Sequence, residues 1–486
     1  QDRPDSINVT IIKPLPGSEL FTLWLAIRKE QSKRQKNYIF SQKEVLEIWI
    51  RVKDVFRKDR QSMLSYMKEL DGVEHIWEML MFEEEPGLKG SFAKDKLFPV
   101  FETREVSLDE TLKFRQKIFD AYRDAVTQIK EVPAFKRKFS KHKTERILNN
   151  IFVLISSGQF EMGRYTFDFE VKLAKRMDRE FSVGVNNGTL GLELVLRAKF
   201  GSLEGKSIVV PANANIADAI AVIHAGGNVV LADVSANTFS LDADKLIGLL
   251  DAEAKALNIV GIILVHMGGF VGSDIERIQK IAKERNLFLL EDASHALGAT
   301  YRGKPAGKFG DAAVFSLYAT KVLTSFSGGI IVTDDRDLFG RMFSYRGLGR
   351  ISEAREEIYD VLGGNFRMDE IPAIIASADL EDLDKRLKIR KKIASYYDAY
   401  FENKKGIRVL KIEGCEPTYY KYILVIDPAV YPDFNYHKLK IECARKGIDL
   451  PGLIYSYTLD KQKYPEGKLH ISKRGLGIAE QLSGYH

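Results

Sequence analysis

Cysteine is nearly absent from the sequence, which has only Cys415 and Cys443 among its 486 residues. Two thiols exclude a disulfide framework and a cysteine-only zinc cluster, and such low use of cysteine indicates a reducing compartment. Long apolar runs are missing as well. A membrane span needs roughly 18 residues, whereas one of the longest runs, residues 259–265, has the length of a strand. We therefore predict a cytoplasmic protein with no membrane segment, and we assign no metal site.

An excess of charge of one sign is also lacking, since the net charge is only +6 at pH 7. Over a chain of this length that excess is too small to indicate a nucleic-acid partner. Hydrophobic residues make up 45% of the sequence and charged residues 29%, which excludes disorder throughout and predicts a sizeable core. Domains usually hold about 100–200 residues, so the length predicts more than one of them.

Glycine is scarce in the first 150 residues, which hold four of the 37 glycines and all three tryptophans. Tight turns between strands and helices and phosphate-binding loops use glycine, so such turns are not expected here. Apolar residues instead recur at three- and four-residue spacing, for example in SQKEVLEIWIRVKDVF. We therefore predict a helical accessory domain over residues 1–132, ending near Pro133.

The pattern of apolar residues changes from about residue 159. Short runs that are apolar throughout alternate with helical patterns, as in FSVGVN followed by TLGLELVLRAKF and SIVVPA followed by IADAIAVIHAG. Strands of this kind, alternating with helices, predict a mainly parallel sheet that is covered on both faces. The predicted fold class is α/β, with a large domain over residues 133–385 and a smaller α/β domain over residues 386–486.

The strongest chemical signal spans residues 287–329. An apolar strand brings Glu291 and Asp292 to its C-terminal end, which is where open α/β sheets bind their ligands. Lys321 follows the strand-like run VFSLY, which contains Ser316. A carboxylate at a strand end, a hydroxyl in a strand and a lysine in the next turn suit a phosphorylated aromatic cofactor that is held as a Schiff base.

Seven segments of the sequence resemble, in order, the DegT/DnrJ/EryC1/StrS family of sugar aminotransferases, which depend on pyridoxal 5′-phosphate (PLP). They cover about half of the chain and read GQFEMGRYTFDFEVKLAKRM, NNGTLGLELVL, VVPANANIADAIAVIHAGGNVVLADV, LVHMGGFVGSDIERI, EDASHALGATYRGKPAGKFGD, FSLYATK and GGNFRMDEIPAIIASADLEDLD. The resemblance implies the PLP-dependent aminotransferase fold of type I, with PLP as cofactor.

The same resemblance assigns roles to single residues. Lys321 resembles the lysine that forms the Schiff base with PLP, and Asp292 resembles the carboxylate that faces the pyridine nitrogen; both are implied to be catalytic. The further cofactor contacts that it implies are Gly188, Thr189, Asn215, His295, Ser316 and Asn365. Asn365 resembles an asparagine that reaches the phosphate of the neighbouring subunit, which implies a homodimer with shared active sites.

Several positions depart from the family pattern. Asn215 aligns with the aromatic residue that stacks on the cofactor, Gly268 with a tyrosine and Ser327 with a glutamate. Members that catalyse dehydration have histidine in place of the lysine, so the presence of Lys321 disfavours that branch. The family pattern continues into another strand, and we therefore expect that the small domain is truncated at His486.

The resemblance implies that an amino acid, glutamate or glutamine, donates its amino group through PLP. The expected acceptor is a keto sugar, nucleotide-linked, or a keto cyclitol. Two alternatives stay open. One is another PLP reaction on the same fold, such as elimination or replacement on an amino acid, which the three departures motivate. The other is a non-catalytic scaffold or binding protein whose N-terminal helices carry the function.

Overall fold

The computed structural model describes residues 137–350, 358–359, 361–450 and 457–482. The helical accessory domain predicted for residues 1–132 lies outside the described residues and stays a prediction. Among the helices that the structure describes, none combines the length and the apolar character that crossing a bilayer requires.

Helices and strands alternate through most of the described chain. The helices are α1 (Lys141–Ser157), α2 (Arg164–Arg176), α3 (Gly188–Phe200), α4 (Ile216–His224), α5 (Ala243–Glu253), α6 (Ile275–Glu284), α7 (Arg336–Arg346), α8 (Glu370–Leu380), α9 (Leu383–Phe401), α10 (Tyr436–Arg445) and α11 (Gly477–Leu482). The strands are β1 (Phe181–Val185), β2 (Ser207–Pro211), β3 (Asn228–Ala232), β4 (Ile259–Val265), β5 (Phe288–Asp292), β6 (Thr300–Tyr301), β7 (Lys304–Pro305), β8 (Ala312–Ser316), β9 (Gly329–Thr333), β10 (Ile407–Val409), β11 (Cys415–Glu416), β12 (Leu424–Ile426) and β13 (Leu469–Ile471).

The main sheet of the described residues has eight strands in the order β1-β9-β8-β5-β4-β2-β3-β13. β9 pairs antiparallel with β1 and with β8, and the remaining pairs are parallel, so that β9 alone runs against the other seven strands. Every residue of β2 and β5 is buried, as expected for strands with helices on both faces. The predicted α/β architecture with a mainly parallel sheet is confirmed.

Two residues at the ends of helix α3 and one glycine within it determine its extent and its packing. The side chain of Asn187 caps its N-terminus, accepting a hydrogen bond from the backbone N–H of Leu190 at 2.9 Å. Gly201, with φ of +67°, ends the helix. A Cβ on Gly191 would lie 2.9 Å from Cγ1 of Val314, so glycine at this position lets the helix pack closely against β8. The N-terminus of α3 is thereby fixed beside the end of β8.

Part of the C-terminal segment joins the main sheet. β13 lies within the range 386–486 predicted for the small domain, yet it pairs parallel with β3. Glu253 accepts hydrogen bonds from the Ser472 hydroxyl at 3.0 Å, and Asp233 accepts the backbone N–H of Ala479 at 2.7 Å, which holds the flanking turn and α11 in place. β10 and β12 form a separate two-stranded sheet. The predicted domain boundaries themselves stay a prediction.

Candidate active site

The candidate active site lies at the edge where the parallel strands of the main sheet end. β1, β5 and β8 run in one direction, so that their last residues, Val185, Asp292 and Ser316, come to the same edge. The turn after β8 carries Lys321, and α3 follows β1 after two residues. Ligands of open α/β sheets bind at this edge. The structure therefore brings the expected carboxylate, hydroxyl and lysine to one side of the sheet.

Asp292 shares its buried surroundings with a second carboxyl group, that of Asp218 on α4. Asp292 accepts a hydrogen bond from the backbone N–H of Ser294 at 2.9 Å and is 6% exposed, while Asp218 is completely buried. Burial, followed by the charge of Asp292, raises the pKa of Asp218 well above its ordinary value. The raised pKa favours the protonated form of Asp218 beside Asp292. Sequence reasoning missed Asp218; the signal available was an acidic residue within the apolar helix IADAIAVI.

Glu291, the neighbour of Asp292 on β5, faces the opposite side of the strand, as alternation requires. Its carboxylate accepts backbone N–H groups of Gly307, Phe309 and Gly310 at 2.6–2.7 Å. It also lies 2.7 Å from Nε2 of His266, and its pKa is lowered because hydrogen bonds outweigh the opposing effect of burial. Glu291 thus anchors a loop and takes no part in the site.

Lys321 is largely buried in the turn after β8. Burial lowers the pKa of its amine to about 8, although the charge of Asp292 acts in the opposite direction. An amine must be neutral to attack a carbonyl carbon, and a lowered pKa increases the neutral fraction near pH 7. Its Nζ lies 4.7 Å from the centroid of the Tyr420 ring.

Tyr420 forms a wall of the site that sequence reasoning did not identify. Its ring stacks on that of His295, with centroids 4.3 Å apart and planes at 24°. Its hydroxyl lies 3.0 Å from Oγ1 of Thr320, next to Lys321. Burial, followed by the charges of Lys321 and Lys421, lowers the pKa of His295 well below its usual value. The imidazole is therefore neutral at pH 7 and can donate or accept one hydrogen bond at each nitrogen.

Two glycines let the segment that carries Tyr420 reach the site. The backbone N–H of Thr418 donates to the carbonyl of Gly269, and that of Lys421 donates to the carbonyl of Gly268, both at 3.0 Å. Gly268 has φ of +63°, and a Cβ there would lie 2.7 Å from Cδ1 of Ile423. Glycine at 268, noted above as a departure from the family pattern, is favoured by this left-handed φ, whereas Cδ1 of Ile423 is the movable end of its side chain.

A cradle for an anion lies between α3 and the end of β8. The N–H groups of Gly188 and Thr189 open α3, and the first N–H groups of a helix have no acceptor within it. A Cβ on Gly188 would lie 3.1 Å from Cβ of Ser316 and 3.5 Å from Oγ of Ser294, so a side chain would fill the space between them. Helix N-termini favour phosphate, and two hydroxyls border this one.

Three other positions flagged by the sequence lie around this centre. Asn215 caps α4, its Oδ1 accepting the N–H of Ala217 at 2.9 Å, so this amide oxygen is engaged in the helix. Asn365 is exposed, and its Oδ1 accepts from Nε of Arg367 at 3.0 Å; within the described part of the chain no hydrogen bond joins it to the lysine. Ser327 is exposed and donates to the carbonyl of residue 186 at 3.3 Å. Their expected roles toward the cofactor and substrate stay predictions.

The arrangement fits PLP. The cradle at α3 and Ser316 suits a phosphate dianion, and the buried carboxylate of Asp292 suits a protonated ring nitrogen. Lys321, with its lowered pKa, lies near enough to Asp292 for the two charges to interact. Each group is thus of the chemical type that the corresponding part of the cofactor needs.

Comparisons with known proteins agree with this geometry. Residues 141–485 match the model of the DegT/DnrJ/EryC1/StrS aminotransferase family. Over 237 residues the chain is 38% identical to GDP-perosamine synthase of Caulobacter vibrioides. This alignment covers 49% of this chain and 62% of that protein. Over 251 residues it is 36% identical to dTDP-3-amino-3,6-dideoxy-alpha-D-galactopyranose transaminase of Aneurinibacillus thermoaerophilus, covering 51% and 66%. The chain therefore spans less than two thirds of the length of each of these relatives.

Solved structures share the fold. An aminotransferase of this family from Brucella abortus superposes with a TM-score of 0.65 at 24% identity, covering 71% of this chain and 89% of the other. The GDP-4-keto-6-deoxy-D-mannose-3-dehydratase of E. coli, solved with hydrated PLP, gives a TM-score of 0.64 at 23% identity, covering 74% and 94%. At these identities the likeness establishes the fold alone, and it confirms the predicted PLP-dependent aminotransferase fold.

Proposed function

Because the chain belongs to the DegT/DnrJ/EryC1/StrS aminotransferase family, we propose that it is a PLP-dependent enzyme that transfers an amino group from an amino acid to a nucleotide-linked keto sugar. The observation that carries this proposal is Lys321, whose pKa is lowered by desolvation to about 8 although Asp292 acts in the opposite direction. The names of the two relatives above, one a GDP-linked and one a dTDP-linked aminosugar enzyme, support a nucleotide-linked acceptor.

We propose that Gly188, Thr189 and Ser316 hold the phosphate of PLP. Asp292 then faces the ring nitrogen and keeps a proton on it, because a buried carboxylate favours the charged form of a neighbouring cation. His295, held neutral by burial, borders the same space through its contact with Tyr420. When bound, PLP supplies an electron sink for the substrate carbon that loses its proton.

Lys321 has two roles in this proposal. Its Nζ holds the cofactor covalently between turnovers, and once released it moves the proton at the substrate carbon. A general acid–base group works best when its pKa lies near the operating pH, and a pKa of about 8 meets that condition. The partly buried ring of Tyr420, 4.7 Å from Nζ, limits the access of water to the amine.

We further propose a homodimer with shared active sites and glutamate or glutamine as the amino donor. In the described chain α1 and α2 expose a row of large apolar side chains at helical spacing, Leu148, Phe152, Ile155, Phe167 and Val171. Large apolar side chains exposed at helical spacing support burial against a second copy. Asn365 is exposed as well, so its side chain is accessible to a neighbouring subunit.

The test uses the full-length protein. Incubation with PLP, reduction with borohydride and peptide mass spectrometry should find the cofactor on Lys321. A separate sample, loaded with PLP but not reduced, is mixed with glutamate or glutamine and with GDP- or dTDP-linked keto sugars, and the products are analysed by mass spectrometry. An aminated nucleotide sugar is the expected product.

Two other outcomes would favour the alternative functions, another PLP reaction or a non-catalytic protein. Release of ammonia and a keto acid from an amino acid without an acceptor would show elimination chemistry on the same fold. Absence of cofactor on Lys321 would reject an enzyme of this class and leave a scaffold or binding protein. For the dimer, the mass of the protein in solution is the measurement, and a monomer that turns over substrate would contradict shared sites.

A further inference from the structure

Arg137 contacts the backbone of the lysine turn from outside the family match, which begins at residue 141. Its Nη2 donates to the carbonyl oxygen of Lys321 at 2.6 Å and to that of Val322 at 3.2 Å. The guanidinium is only 10% exposed. Arg137, which precedes the family match, thus holds the main chain of Lys321, on which the proposed chemistry depends.

A second guanidinium and a carboxylate complete this clamp. Asp379 on α8 accepts Nη2 of Arg386 at 2.6 Å, lies 3.4 Å from Nη1 of Arg137, and accepts the backbone N–H of Thr324 at 3.0 Å. Arg386 donates to the carbonyl of Val322 at 2.7 Å. Burial lowers the pKa of Arg137 to about 10, so the guanidinium stays charged at pH 7. Thr324 is therefore tied directly to Asp379 on α8, and residues 321 and 322 are tied to it through the two guanidinium groups.

The clamp matters because Lys321 lies in a turn and not in a strand. β8 ends at Ser316, so no ladder of strand hydrogen bonds fixes the backbone at residue 321. The carbonyl of Val322 accepts from both Arg137 and Arg386, whereas the carbonyl of Lys321 accepts from Arg137. Loss of Arg137 removes the charged donor from that partly buried carbonyl.

We propose that Arg137 is a positioning residue for Lys321: it fixes the lysine turn so that Nζ is held where it meets the carbonyl carbon of the cofactor. This inference rests on the proposed function, since it concerns the same lysine. It adds that the segment preceding the family match is part of the active-site structure.

The test measures how fast PLP becomes covalently attached to Lys321. Cofactor-free full-length protein is mixed with PLP, samples are reduced with borohydride at intervals, and the labelled peptide is quantified by mass spectrometry. R137A should slow attachment about tenfold to a hundredfold, the usual cost of losing a hydrogen bond to a charged group. R137K should be intermediate, because an ammonium cannot present the planar fork of donors.

R146A is the matched control. Arg146 pairs with Glu381 at 2.6 Å, is 42% exposed and does not contact the lysine turn. Its loss should leave the attachment rate within about twofold of wild type, as expected of a surface ion pair. Turnover offers a second readout: R137A should lower kcat and leave KM for the acceptor unchanged.

Each outcome bears on the inference. Attachment in R137A at the rate of R146A would overturn it, and so would a fall in thermal stability with no change in attachment rate. If circular dichroism shows that R137A does not fold, R137K decides, and a wild-type attachment rate for R137K would reject the role of the guanidinium. If wild type and R146A also fail to attach PLP, the proposed function fails and the inference falls with it.

Discussion

The ring of Tyr420 stacks on the ring of His295, with centroids 4.3 Å apart, although the two residues lie far apart in the sequence. The carbonyl of His295 also accepts the hydroxyl of Thr418 at 2.7 Å, so the two segments are joined by backbone as well as by ring contact. The C-terminal segment therefore forms part of the environment that lowers the pKa of Lys321 by burial.

Removal of the Tyr420 ring should admit water to Lys321 and raise the pKa of its amine from about 8 toward the ordinary value of 10.5. We expect Y420A to shift the pH midpoint of PLP attachment upward. Y420F keeps the ring and loses only the contact with Thr320, so its midpoint should stay at the wild-type value. Attachment rates measured between pH 6 and pH 10 check this, and equal midpoints in Y420A and Y420F would contradict it.

In the wild type, the attachment rate should itself follow the neutral fraction of Lys321. Below about pH 8 the rate should rise roughly tenfold per pH unit, and above it the rate should level off, because the amine is then mostly neutral. K321A should attach no PLP at all and should lose turnover by a factor of at least about a hundred. Near-normal transamination in folded K321A would remove the basis of the proposed function.

Asp292→Asn should retain some PLP and lose most of the activity. The amide is nearly isosteric but cannot favour a proton on the ring nitrogen, and a neighbouring charge is worth about 1–3 pKa units. We therefore expect turnover to fall about tenfold to a thousandfold while PLP still attaches to Lys321. Steady-state kinetics and the attachment assay together test this, and wild-type turnover would show that the carboxylate has a structural role only.

Asp218→Asn should change how stability depends on pH. The folded-state pKa of Asp218 is raised above its ordinary value of 3.8, so its stabilising contribution is complete below that value and is lost as pH rises through the raised folded pKa. D218N cannot lose a proton. Its free energy of unfolding, relative to wild type, should therefore increase as pH rises from 4 into the range of the folded pKa.

Denaturant unfolding of the cofactor-free proteins at several pH values measures this difference. D251N is a suitable control, because Asp251 is also an aspartate but is 54% exposed and lies on the surface. Its difference from wild type should vary little with pH. If D218N and D251N give parallel curves, Asp218 does not hold a proton in the folded protein.

The parts of the site that could be predicted are those encoded in short stretches of sequence. Asp292, Ser316 and Lys321 follow or end apolar strands, so the strand pattern alone brings them to one edge of the sheet. Gly268 is recognisable as a departure, but its left-handed φ and its hydrogen bond from the N–H of Lys421 depend on how this turn meets a segment far along the chain. Local patterns predict which end of a strand a residue occupies, and they carry no information on what packs against it.

The residues that were missed make contacts over long separations. Thr320 and Tyr420 are 100 positions apart, and Arg137 and Lys321 are 184 apart. No periodicity links such pairs, because each contact results from the packing of whole elements. Asp218 was missed for a different reason. Its burial follows from its apolar neighbours on the helix, but the carboxyl group of Asp292 beside it belongs to β5, a separate element.

The pairing of β13 with β3 makes β13, and not β3, the edge strand on this side of the main sheet in the described chain. Without it, β3, whose sequence NVVLA is buried along four of its five residues, would offer unpaired backbone groups to any other chain. β13 has only three residues, and His470 within it lies 2.8 Å from Glu253. A short border strand with a polar side chain is a poor template for pairing between molecules. The C-terminal segment thus protects the protein against edge-to-edge aggregation.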